Sequence, residues 1–125
     1  MTDADRELLK RADAVAKRAY APYSKFLVGA AVRTRDGRVF EGVNVENAAY
    51  PLGICAEKAA LAKAVSERVR PGDVEALAVT ASPCGGCRQW FYEFGIERVV
   101  YRRANGDLAV TTPAELLPDT FELAP

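Results

Sequence analysis

The chain has 125 residues, half of them hydrophobic and 27% charged, with 17 Lys and Arg balanced against 17 Asp and Glu, three cysteines and no histidine. That length suits a single domain (residues 1–125) able to bury its own core, and the composition argues against intrinsic disorder. Zero net charge argues against an electrostatic grip on nucleic acid and favours a small neutral ligand.

From Thr2 to about Tyr20, the residues Leu8, Leu9, Ala12, Val15, Ala16 and Ala19 recur at three-four spacing behind a Thr2 or Asp3 cap, which predicts a first helix. This segment is charged and amphipathic rather than a signal peptide, and no stretch approaches the roughly 20 apolar residues that span a bilayer. A cytoplasmic protein with no membrane partner is expected. Pro22 breaks the helix, and "LVGAAVRT" and "RVFEGVNV" flank Asp36-Gly37, the turn chemistry of a hairpin.

After the loop "ENAAYPLG", the alanine-rich run from Cys55 to about Arg68 predicts a buried helix. "RPGD" stops it, "VEALAVTA" reads as a short apolar strand, and Pro83 opens a helix through "CGGCRQWFYEF". "ERVVYR" is the next strand, Asn105-Gly106 turns the chain into the weaker strand "LAVTT", and "PAELL" forms a short last helix. The order α-β-β-α-β-α-β-β-α predicts an α/β fold of three layers, α/β/α, with a central mixed sheet of about five strands.

In a reducing compartment, three cysteines read as thiols, metal ligands or catalytic groups rather than as disulfides, and the odd count agrees. Cys55 opens one predicted helix, and Cys84 and Cys87 open the next, at the same end of the sheet. Helix N-termini favour the thiolate that a metal requires. C-G-G-C alone fits a redox pair or half of a structural metal site as well as it fits catalysis. A structural zinc is closed by four protein ligands, however, whereas a catalytic zinc keeps three and a water. With three cysteines, no histidine, and Glu57 two residues after Cys55, a hydrolytic metal site is the sharper reading.

The pairing of C-A-E with P-C-x-x-C matches the signature of zinc deaminases. On "ICAEK" (54–58), "SPCGGCRQ" (82–89), "PYSKFLVGAAV" (22–32) and "GVNVENAAY" (42–50), the chain resembles the cytidine deaminase family in its small, three-cysteine form. The resemblance runs along nearly the whole chain, as far as "LLPDTF" at 116–121. It implies one zinc per subunit, held by Cys55, Cys84 and Cys87, and hydrolytic deamination of cytidine and deoxycytidine in pyrimidine salvage. A zinc-activated water would attack C4, with Glu57 carrying the proton to N3 and then to the leaving amine.

The same resemblance places Phe26 against the pyrimidine ring and Asn44 and Glu46 on the ribose hydroxyls. It places the backbone of Ala56 on the base and gives the carbonyl of Ser82 the departing ammonia. Tyr50 and Phe121 match residues that reach into a neighbouring subunit's site, which implies a homotetramer.

Zinc(II) with three thiolates is a net anionic centre and a poor Lewis acid, so nearby cations are needed, and Lys58 and Arg88 are the adjacent candidates to hydrogen-bond the sulfurs. Lys58 stands where the family usually carries arginine, and the segment before Ser82 is shorter than usual. "YPLG" and Trp90 are further departures. They leave open a modified or antibiotic cytosine nucleoside as substrate, although the "NVEN" segment favours an ordinary one. The non-enzymatic alternative is a zinc-stabilised or thiol-based regulatory module. Nucleic-acid editing has neither a basic face nor an aromatic stacking array to support it.

Overall fold

The computed structural model describes residues 1–123. In chain order it contains α1 (Asp3–Ala16), β1 (Gly29–Thr34), β2 (Val39–Val43), α2 (Ala56–Ser66), β3 (Val74–Val79), α3 (Gly85–Phe94), β4 (Arg98–Arg102), β5 (Leu108–Thr111) and α4 (Pro113–Leu116), with a 3-10 turn at Tyr50–Leu52. The predicted element order is the observed one.

Helix α1 starts with a reciprocal cap: the Thr2 hydroxyl accepts from the Asp5 amide, and the Asp5 carboxylate accepts from the Thr2 amide. It ends at Ala16 rather than near Tyr20. The Tyr20 amide instead donates to the Asn44 carbonyl, and the Tyr20 carbonyl accepts from Glu46, which draws the chain out of the helix into a bridge with Val45. For the same reason β2 stops at Val43: beyond it, Val45 makes isolated bridges to Tyr20 and Ile54.

One five-stranded sheet has the order β2-β1-β3-β4-β5. β1 is antiparallel to both β2 and β3, β4 is antiparallel to β5, and β3 and β4 are parallel. Helix α3 crosses between the parallel neighbours β3 and β4, and α2 crosses over β1 between β2 and β3, which run the same way on either side of it. Residues on alternate sides of the strands build two cores. Ala30, Val32, Leu77, Val79 and Val99 face α2 and α3, packing with Ala56, Ala60, Leu61 and Phe91. Ala31, Ala76, Ala78 and Val100 face α1, meeting Leu8, Leu9 and Ala12. The sheet is thus covered on both sides, giving the three layers the sequence predicts.

Two strand glycines set how closely the helices lie. A Cβ on Gly29 would stand 2.1 Å from the Ala12 carbonyl oxygen, and one on Gly42 would stand 2.4 Å from the Ala60 amide nitrogen. On α2, the small residues Ala56, Ala60 and Ala64, all fully buried, form the stripe that makes this approach possible.

Candidate active site

The topology brings the three thiols together. β2 and β3 both run antiparallel to β1, so they point the same way, and the helices that follow them begin at the same end of the sheet. Cys55 and Cys84 are the residues that cap α2 and α3, both with extended backbone, one position earlier than a first-turn placement. The Cys84 sulfur accepts from the Cys87 amide at 3.5 Å, one turn into α3.

The Cys55 and Cys84 sulfurs are 3.7 Å apart, and all three sulfurs lie within 4.8 Å of one another. Zinc–sulfur bonds of about 2.3 Å at tetrahedral angles would separate two sulfurs by about 3.8 Å, so the donor set fits zinc. Three thiolates leave the fourth tetrahedral position for a water or substrate. Cys84 is exposed, Cys55 is partly buried and Cys87 is buried in the core below them.

The thiols share protons unequally. The hydrogen bond from Cys87 is the main influence drawing the Cys55 thiol down to about 6; burial opposes it, while Cys84 and the Lys58 charge assist. Cys87, buried beside Cys55 and the Glu57 charge, is pushed up, chiefly by its interaction with the Cys55 thiol. Glu57 is 4% exposed, and desolvation raises its carboxyl above the ordinary range; the Cys55 charge adds to this, whereas its own backbone amide and Cys87 pull the other way. A carboxyl raised in this way holds a proton more readily than an ordinary glutamate, which suits a group that must take up and give back protons.

Of the two predicted counter-cations, Lys58 lies beside the cluster: its Nζ is close to Gly86, between Cys84 and Cys87 in the chain. Arg88 is directed elsewhere. Its Nε donates to the Pro83 carbonyl at 2.9 Å and its Nη1 to the Leu116 carbonyl at 3.1 Å, joining the turn before Cys84 to the end of α4.

A cavity of about 570 Å³ opens over Cys55, Cys84 and Glu57. Phe26, Asn44, Glu46, Tyr50, Ala56 and Ser82 also line it, whereas Cys87, Lys58, Arg88 and Phe121 do not. Among the described residues, Glu46 and Glu57 are its charged lining groups, and neither lysine nor arginine contributes to the wall. Tyr50 is 90% exposed and Phe121 73% exposed.

Asn44 and Glu46 lie beyond the end of β2, and their side chains hold the neighbouring loop. The Asn44 Oδ1 accepts from the Val28 amide at 2.8 Å, and its Nδ2 donates to the Phe26 carbonyl at 2.9 Å. Glu46 Oε1 accepts from the amides of Tyr23 and Ser24 at 2.9 and 3.1 Å, and Oε2 accepts from the Ser24 hydroxyl. These contacts hold the loop that carries Phe26 and bring in Tyr23 and Ser24, two lining residues that sequence reasoning missed. The available signal was Ser24 two residues before Phe26, the spacing at which a serine hydroxyl takes a following amide.

Comparison with known proteins gives a consistent result. The family model for the cytidine and deoxycytidylate deaminase zinc-binding region matches residues 2–103. A cytidine deaminase of Sporosarcina psychrophila is 45% identical over 123 residues, covering 92% of this chain and 89% of the relative. One from Halalkalibacterium halodurans is 45% identical over 126 residues, covering 94% of each chain. The crystal structure of cytidine deaminase from Burkholderia pseudomallei superposes with a TM-score of 0.88 at 45% identity, covering 97% of this chain and 100% of that one.

Proposed function

We propose that this chain, which belongs to the cytidine and deoxycytidylate deaminase zinc-binding family, hydrolyses cytidine and deoxycytidine to uridine and deoxyuridine, consuming one water and releasing one ammonia. The observation that carries this reading is the buried carboxyl of Glu57 beside a three-thiol cluster at the floor of a cavity whose wall, among the described residues, has no cation.

Cys55, Cys84 and Cys87 would hold the zinc, which when bound supplies a Lewis acid that makes a water acidic. Glu57 takes one proton of the attacking water and delivers it to N3 of the pyrimidine, then carries the second, from the new C4 hydroxyl, to the departing amine. Phe26 packs against the ring, the Ala56 backbone contacts the base, and the Ser82 carbonyl accepts an N–H of the leaving ammonia. Asn44 and Glu46 hydrogen-bond the sugar hydroxyls. Lys58 offsets the thiolate charge, and Arg88 braces the turn before Cys84 by donating to the Pro83 and Leu116 carbonyls.

The wall chemistry favours a nucleoside over its monophosphate, because a phosphate on the sugar would enter on the Glu46 side of a cavity that, among the described residues, has no lysine or arginine to meet it. The exposure of Tyr50 and Phe121 supports an assembly of four copies in which each reaches a neighbouring site. Such a reaction belongs to pyrimidine salvage in the cytoplasm, and among the described residues no helix is long and apolar enough to cross a membrane. Incubating zinc-loaded protein with cytidine, deoxycytidine and their 5′-monophosphates, and following pyrimidine absorbance, tests the proposal. Both nucleosides are consumed and the monophosphates persist; nucleosides left intact would overturn it.

A further inference from the structure

We propose that Ser24 is a positioning residue whose hydroxyl joins Glu46 to the backbone of Phe26, so that the sugar-facing and base-facing parts of the cavity form one hydrogen-bonded unit. The inference rests on the nucleoside reading of the cavity given above.

The Ser24 hydroxyl donates to Glu46 Oε2 and accepts from the Phe26 amide at 3.0 Å. The Phe26 carbonyl is held in turn by the Asn44 carboxamide at 2.9 Å. Both backbone polar atoms of Phe26 are therefore fixed by side chains that line the same cavity as its ring. Between Ser24 and Phe26, Lys25 has φ 62, a left-handed conformation unfavourable for a lysine that needs support from its surroundings. The hydrogen bonds on either side supply it.

Glu46 is nearly saturated by this loop. A carboxylate offers about four acceptor positions, and the Tyr23 amide, the Ser24 amide and the Ser24 hydroxyl occupy three. The carboxylate can therefore take a sugar hydroxyl without releasing the loop, but it cannot turn toward the sugar without disturbing Phe26. The Ser24 hydroxyl, followed by the Ser24 amide, holds the Glu46 carboxyl below its ordinary range, which keeps it an ionised acceptor.

The test compares Ser24→Ala and Ser24→Thr in zinc-loaded protein. Hydrogen exchange at the Phe26 amide, measured without substrate, should be at least roughly tenfold faster in Ser24→Ala and near wild type in Ser24→Thr. With cytidine, Ser24→Ala should raise KM roughly tenfold while kcat stays within about twofold. Threonine should restore KM, and the increase should shrink to less than about twofold when Glu46→Gln is already present. Unchanged exchange at Phe26, or a KM increase of the same size in the Glu46→Gln background, would overturn the coupling. A wild-type protein inert toward cytidine would defeat the nucleoside reading instead, and the exchange comparison would still decide whether Ser24 holds the loop.

Discussion

Lys58 ends beside Gly86: a methyl group on that glycine would stand 3.2 Å from the lysine Nζ and 4.0 Å from the Cys84 sulfur. The bare glycine in the first turn of α3 thus leaves room for the Lys58 ammonium near the Cys84 thiol. A compact ammonium neutralises charge without the planar fork of a guanidinium. Lys58→Gln should therefore weaken zinc binding roughly tenfold, within the range usual for loss of a group that supports metal ligands. Competition with a colorimetric chelator measures it, and unchanged affinity would remove Lys58 from the site.

Gly42 controls the position of α2 and hence of Cys55 and Glu57. Its hypothetical Cβ meets backbone on α2, at 2.4 Å from the Ala60 nitrogen and 2.6 Å from the Ala56 oxygen, so no side-chain rotation can relieve the clash. Gly42→Ala should destabilise the fold by about 1–3 kcal/mol and, by displacing Cys55 from Cys84, weaken zinc binding as well. Denaturation and metal titration on the same sample check both. A stable variant with wild-type zinc affinity would show that α2 is free to shift.

Asp5 makes stability depend on acid. Its side chain is fully buried and accepts from Arg98 at 3.0 and 3.2 Å, from Arg33 at 3.2 Å and from the Thr2 amide at 3.2 Å. Burial alone would raise its pKa, but together Arg98, Thr2 and Arg33 outweigh it and hold the carboxyl down to about 2, against 3.8 ordinarily. Because the folded value is the lower one, the contribution is present above about pH 4 and is lost as pH falls toward 2, amounting to about 2 kcal/mol. Urea denaturation across this window should show the loss in the wild type. In Asp5→Asn that component of the acid slope should vanish and stability at pH 7 should fall by about 2–4 kcal/mol, since two arginines lose their partner. An acid slope identical in both proteins would contradict this assignment.

The parts of the fold legible in the sequence were those written in local patterns. The spacing of Leu8, Leu9 and Ala12, the Asp36-Gly37 turn and the alanines of α2 each carry a periodicity or turn chemistry that survives without tertiary context. The thiol cluster was legible because Cys55 and Cys84 each stand at a helix start, although 29 positions apart. What stayed hidden depends on contacts between distant segments. The bridge from Tyr20 to Val45 shortens α1 and β2. The partners of Arg88 include a carbonyl 28 residues away, so adjacency to Cys87 gave no indication of where its guanidinium points. The placing of Asn44 and Glu46 on the ribose likewise gave no sign of the 22–28 loop, whose amides both side chains hold.

The central claim is that Glu57 moves protons at a zinc centre held by three thiolates. Zinc content and ammonia release from cytidine, measured together for the wild type and Glu57→Gln, test it most directly. The account predicts roughly one zinc per chain in both proteins, ammonia release by the wild type, and a kcat at least about 10²-fold lower in the variant. A Glu57→Gln protein that keeps its zinc and releases ammonia at the wild-type rate would contradict it.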